Sequence, residues 1–560
     1  MYSVPDEAKK LFFKGILQNP LISKDLPPET FQYAEKVHFE GTRKPSIPIN
    51  WRFAESISAL KALEATLINT LLKRKYGIEP QEAIINTDHA QLFIMSILTW
   101  TADPRGKALN MATMRNDPDF LKAFPPTLDL HRLGDGEHRK AATNIYKTKD
   151  ARFFHLHGSM DPDPTLDSLG LPHDREVSSY EESLEPFVEK ISQIESEDLQ
   201  KLASDVYKQA GTICWSTEEF KNSEHGKANA HVGLFEIKNI PSQAQKPCWW
   251  PDSPRTSPER PLAGLKVVDL TRVIAAPAVT RGLAELGASV MRVTTSHITD
   301  YCALLPDLSW GKWNTQLDFR KEEDREAMRN LVREADVVVQ GYRPGVLDKY
   351  GFSLDGLLDI CKDRERGLIV VRENCYGWYG PWSYRSGWQQ ISDAFGRAMG
   401  NDEPVTPVFP NSDFCTGVAG VASILTALIR RAEEGGSYKI DVALNYYSQW
   451  LVNSCGTYPS SVWEDVWMRN GRKVFRHYHH MGYTLPQFMG MILKNSKSVL
   501  FNPEFFEERK AFGYDKPIAT VKPIIQFPQE KVKLRYDVST RTNGVDKPKW
   551  PEDLTVEVVA

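Results

Sequence analysis

Two runs of consecutive β-branched residues, Val337-Val338-Val339 and Ile369-Val370-Val371, set the strongest limit on what this chain can fold into. A strand that is apolar on both faces must be covered on both faces, the situation of a parallel sheet sandwiched by helices. The neighbouring sequence fits that requirement. Leu265-Lys266-Val267-Val268-Asp269-Leu270 and residues 288–293 read as further strands. Residues 277–287 read as a helix opening on Pro277 and closing on Gly287, and 321–334 as a charged amphipathic helix. Strands alternating with helices predict βαβ units with right-handed crossovers, an α/β sheet.

This pattern begins after a stretch that holds Pro247, Pro251, Pro254, Pro258 and Pro261. Prolines at that density deny backbone donors, so 241–263 reads as a stiff linker on which Trp249 and Trp250 dock against a neighbouring surface. Residues 1–240 read as a helical, α+β domain: 52–75 and 181–211 as amphipathic helical patterns, with a short strand at 151–156. The α/β domain runs from 264 to 455. Residues 456–560, rich in Trp, His and Pro, read as an extended, wrapping segment.

The chain has 560 residues with a formal charge of −4 and 41% hydrophobic residues, which suits two or three domains and argues against nucleic acid or an anionic membrane as main partner. The seven cysteines include no CxxC pair, as expected of a reducing compartment without a zinc site. The polar N-terminus has no signal-peptide core, and apolar runs such as 93–98 are short and interrupted; no membrane span is expected. The expected location is cytoplasmic, with mitochondrion and peroxisome open. His155 and His157 on one strand face, and His477, His479 and His480, lack Asp, Glu or Cys at ligand spacing and are read as surface or packing residues, so no metal is expected. Arg430 and Arg431 are read as complementing a helix dipole.

The first strand is followed by Thr271-Arg272-Val273-Ile274-Ala275-Ala276-Pro277, without the glycines of a dinucleotide site; Ala275 and Ala276 still let a ligand approach a helix start. Asn411-Ser412-Asp413-Phe414-Cys415-Thr416-Gly417 opens a long apolar helix stopped by Gly435-Gly436. Asp413 there is either an N-cap or a carboxylate nucleophile set among backbone donors.

From Arg260 to about Ser454 the chain resembles the class III CoA-transferases of the CaiB/BaiF type, the group of formyl-CoA transferase, carnitine CoA-transferase and α-methylacyl-CoA racemase. The words that carry the resemblance are RPLAGLKVVDLTRVIAAP, LAELGASVMRV, the run from WGKWNTQLDF to GYRPGVLDKYGF, YGWYGPWSYRSGW and SDFCTGVAG, in family order. The resemblance implies a Rossmann-like domain and an acyl-CoA:carboxylate CoA-transferase with Asp413 as nucleophile. It implies CoA contacts at Ile274, Ala275, Leu317, Asp318, Tyr342, Arg343 and Lys349, with Trp388 and Gln389 added. Substrates would be an acyl-CoA and a small carboxylic acid, with no tightly bound cofactor. Racemases of the group carry a His after the glycine that here is Gly387; Trp388 stands in its place. A GGG loop is absent, and the stretch between Gly387 and Asp413 is short. An α-epimerase and a non-catalytic CoA-binding relative are the alternative readings. Residues 144–158 and 52–83 resemble the second half of the same family, as if that half were fused ahead of the first. Family members form interlocked dimers, so a homodimer or an intrachain pseudo-dimer is expected.

Overall fold

The computed structural model describes residues 2–126, 129–393 and 403–560. Its centre is a seven-stranded sheet. The strands are β1 (Glu236–Ile240), β2 (Lys266–Leu270), β3 (Ser289–Thr294), β4 (Lys312–Gln316), β5 (Val337–Gln340), β6 (Ile369–Asn374) and β7 (Ser437–Ala443). Their order is β4-β3-β2-β5-β6-β7-β1, all parallel except β1, which runs antiparallel to β7. Chain order runs outward from β2 in one direction and from β5 in the other. Between these two strands the crossovers switch sides, and ligands of such sheets bind at the strand C-termini beside that switch. The sequence expectation of an α/β parallel sheet holds. The linker boundary at 240 does not separate two sheets, because β1, ahead of the prolines, is the edge of this one.

Four helices place the site: α1 (Phe53–Tyr76), α2 (Ala275–Glu285), α3 (Glu322–Glu334) and α4 (Asn411–Glu434). Among the described residues α4 is the one helix long and apolar enough to cross a membrane, and its apolar stretch is wholly buried as the core of the protein. It packs on α1 and α2. Glycines set its approach to α2: a Cβ on Gly417 would stand 2.7 Å from Ala278 Cβ, and one on Gly420 would stand 2.6 Å from Val279 Cγ2. Such contacts force the helices apart, so Gly420→Leu is expected to cost about 1–3 kcal/mol or more in a denaturant titration. Unchanged stability would show that the two helices do not meet at Gly420.

Helix α1 is buried all round from Phe53 to Leu72, not amphipathic as its spacing suggested, because α4 and both chain ends enclose it. One buried pair lies within it, Lys61 Nζ to Glu64 at 2.8 Å. Arg431 is not a dipole residue at a solvated end. It is fully buried, donating to Gly367 O at 2.9 Å and to Asp336 at 3.2 Å.

The two ends of the chain interleave. Ala83–Asn86 pairs with Val37–Glu40 on one side and with Ile525–Gln526 on the other. Thr101–Ala102 pairs with Tyr514–Val521. A third small sheet joins Asn144–Lys147, Phe153–Leu156 and Gly211–Ile213. The pattern at 181–211 breaks into Tyr180–Ile191, Ser196–Gln200, a wider helical turn over Lys201–Val206 and then strand. The C-terminal segment is not extended throughout: it holds helices Ser460–Arg469 and Met481–Asn495 and the hairpin of Phe506–Ala511 with Tyr514–Val521. Helical spacing was hidden there by Pro486 and by the aromatic content. Its last part, beyond 526, lacks regular structure, as does the stretch 470–480 between the two helices. It wraps the sheet through Gly311 N to Val538 O and Trp313 Nε1 to Val556 O. In the linker Trp250 is 2% exposed, donates to Ala263 O and lies under Lys75 Nζ.

Candidate active site

A cavity of about 600 Å³ opens at the C-terminal ends of β2, β5 and β6. Asp413 stands in its wall, 6% exposed, as the third residue of α4. It is not the N-cap: that position is Pro410, and no side chain caps the helix. Ile274, Ala275, Tyr342, Arg343, Trp388 and Gln389 line the same cavity, so the structure brings these sequence candidates together around Asp413. Leu317, Asp318 and Lys349 are not in its wall. Leu317 is packed in the hydrophobic core behind β4. Asp318 is held by Arg320, whose guanidinium keeps its carboxyl far below the usual range. Lys349 Nζ lies over the Tyr350 ring. Of the stretch between Gly387 and Asp413, residues 394–402 lie outside the described residues.

The turn after β2 is strained. Val273 has φ +72°, a left-handed conformation that a β-branched residue adopts at a cost of about 1–3 kcal/mol. The turn carries Arg272 to the cavity, where Nη1 donates to Thr299 O at 2.6 Å and the guanidinium stacks 6.0 Å from the Tyr342 ring. Gly341 is required beside it, since a Cβ there would meet Ala276 Cβ at 2.7 Å. Arg343 donates to Lys208 O at 2.7 Å. Two guanidinium groups therefore mark one part of the cavity.

The carboxyls of Glu373 and Asp413 mark another, with Asp393 near Asp413 but outside this wall. Burial pushes Glu373, in the cavity wall near the end of β6, up to about 8. Asp393 is raised to about 6 by burial, against hydrogen bonds led by that of Gln389. Asp413 is raised well above the ordinary range, first by burial and then by the charges of Glu373 and Asp393. A charge on Glu373 or Asp393 therefore opposes ionisation of Asp413.

Sequence reasoning missed Glu373, Arg272, His157 and Ser159. The first two lie within or just before the quoted motif words, a signal available but unused. The other two come from the N-terminal segment, ahead of every motif word and more than 250 positions before Asp413. His157 lines the cavity with its ring near-parallel to Trp388, centroids 6.0 Å apart. Its Nδ1 accepts the Ser159 N–H at 2.9 Å, which leaves Nε2 as the protonated nitrogen of the neutral ring, and burial pushes its pKa down to about 3. Trp388 Nε1 donates to Ser159 Oγ at 3.1 Å, and Ser159 holds φ +53°. His480 and Met481 of the C-terminal segment complete the wall. His155 is fully buried behind His157, both ring nitrogens unpartnered. Among the described residues no group of three His, Cys, Asp or Glu side chains is arranged to hold a metal.

The family model of CoA-transferase family III matches residues 262–475. An acetyl-coenzyme A transferase, nodX, of Hypoxylon pulicicidum is 50% identical over 568 residues, covering 100% of this chain and 95% of the relative. An acyl-CoA transferase of Gibberella moniliformis is 31% identical, covering 75% of this chain and 74% of the relative. A CAIB/BAIF family protein from Brucella suis, known by crystal structure, is 30% identical at a TM-score of 0.32, covering 39% of this chain and 59% of that one.

Proposed function

Because this chain belongs to CoA-transferase family III, and is a CoA-transferase, we propose that Asp413 is the nucleophile that carries the acyl group and then CoA. The ionised carboxylate attacks the acyl-CoA carbonyl; the C–S bond breaks and CoA leaves as thiolate, giving an aspartyl mixed anhydride. The thiolate attacks the Asp413 carbonyl of that anhydride and releases the first acid as carboxylate. An aspartyl-CoA thioester remains. A second carboxylate attacks it and the steps reverse, so one thioester is exchanged for another without ATP. The observation that carries this reading is a carboxylate in the wall of a large cavity that also presents two arginines at the strand C-termini.

Each part has a physical task. Arg272 and Arg343 suit the phosphates of CoA by charge-assisted hydrogen bonds. Glu373, which burial keeps protonated up to about pH 8, is a donor for the oxyanion. Enclosure excludes water from the anhydride. Trp388 supplies no base for the epimerase alternative: an indole is a donor only, and its N–H is already given to Ser159. The cavity walls come from the N-terminal segment, the α/β domain and the C-terminal segment of one chain, which supports the single-chain pseudo-dimer over a site shared between protomers.

Arg343→Ala is expected to weaken CoA binding by roughly 1–2 kcal/mol, the scale of a charge-assisted contact. Calorimetry giving wild-type affinity in the folded variant would remove Arg343 from the CoA site. The function itself is tested by exchange. Incubation with an acyl-CoA and a second, isotopically labelled carboxylic acid, without ATP, should yield the labelled acyl-CoA. Release of free CoA with no labelled thioester would identify a hydrolase instead.

A further inference from the structure

A second cavity, about 110 Å³ and mostly apolar, adjoins the first. Val408 lines both. Asp393 forms part of the partition: it lines the smaller cavity, and its carboxylate accepts Gln389 Nε2 from the larger one at 2.6 Å and Ser448 Oγ at 3.2 Å. Ile49 and Val452 give the smaller cavity apolar walls, and the exposed Lys221 stands at its outer rim. One polar group is unexplained by the fold. Thr406 lines the cavity at 1% exposure, and its hydroxyl has no partner.

We infer that this cavity is the subsite for the hydrocarbon body of the carboxylic acid substrate, an aliphatic acid of about five or six carbons. The inference rests on the transfer mechanism proposed above. In that mechanism CoA stays bound through both halves while one acid leaves and another enters. CoA occupies the arginine-marked part of the large cavity, so the acid needs space of its own next to Asp413. The small cavity meets the large one across Val408. Lys221 attracts the arriving carboxylate at the surface, the carboxyl passes to Asp413, and the chain behind it rests among Ile49 and Val452. An apolar cavity of 150 Å³ holds a benzene, so one of about 110 Å³ takes about four to five carbons behind the carboxyl.

The test compares hexanoate with acetate as CoA acceptors. Val452→Trp, which fills the cavity, is expected to lower the hexanoate-to-acetate ratio of kcat/KM at least tenfold. Ile49→Ala, which enlarges it, is expected to raise the ratio for octanoate over hexanoate. Ratios unchanged in both variants would overturn the subsite. Binding is read separately by calorimetric titration of hexanoate into Asp413→Asn protein, where no turnover interferes. Binding that is lost on adding Val452→Trp supports the subsite, and no binding at all overturns it. A failure of the transfer mechanism itself would appear elsewhere, as the absence of any covalent adduct on Asp413.

Discussion

Asp413→Asn is expected to lower CoA transfer by roughly 10⁴-fold or more, the scale of removing a nucleophile that acts as part of a unit. The protein should stay folded. The amide keeps the shape of the carboxyl, and no side-chain cap of α4 is lost with it. The variant should be somewhat more stable at neutral and high pH, and the sign follows from the shift. The pKa of Asp413 is raised in the folded state by burial and by Glu373 and Asp393. Above the unfolded carboxyl pKa of about 4 the folded protein therefore holds more protons than the unfolded one, and stability falls as pH rises. Asn removes that slope. Thermal melts at pH 5 and pH 8 read it directly, and transfer at the wild-type rate in a folded Asn variant would remove Asp413 from the chemistry.

Glu373→Gln is expected to change the pH profile more than the fold. Burial holds Glu373 protonated up to about pH 8. Once ionised, Glu373, like Asp393, resists ionisation of Asp413. Gln is neutral at every pH, so Asp413 should ionise earlier. The acid limb of kcat/KM should move down by about one pH unit, the size of a close like-charge effect. Any high-pH limb near 8 due to Glu373 should vanish. Stability should also lose one source of decline between about pH 4.5 and 8, where the folded wild type keeps a proton that the unfolded chain releases. An acid limb that stays in place would mean that the charge of Glu373 does not act on Asp413.

The strands that could be read from sequence are those whose residues alone demand burial, as Val337–Gln340 and Ile369–Asn374 do. Lys312–Gln316 is polar by composition and becomes a strand through its neighbour β3 and the wrapping C-terminal segment, which no local pattern reports. Glu236–Ile240 pairs with Ser437–Ala443 across 200 residues of sequence, and such pairing leaves no short-range trace. The site divides in the same way. Asp413, Tyr342 and Arg343 lie in contiguous motif words and were legible. His157 and Ser159 reach the cavity only because the strand Phe153–Leu156 is folded against the α/β domain. Leu317 and Asp318 show the opposite case: residues near the right strand end whose side chains are used by the core and by Arg320 instead.

The central claim is that the group being transferred passes through a covalent bond to Asp413. Wild-type protein mixed with an acyl-CoA and no acceptor acid, quenched in acid and digested, should yield the Asp413 peptide with the mass of an acyl or CoA adduct. Hydroxylamine should convert that adduct to the hydroxamate, and Asp413→Asn should yield neither. Modification of another carboxylate, or steady transfer with every Asp413 peptide unmodified, would contradict the account.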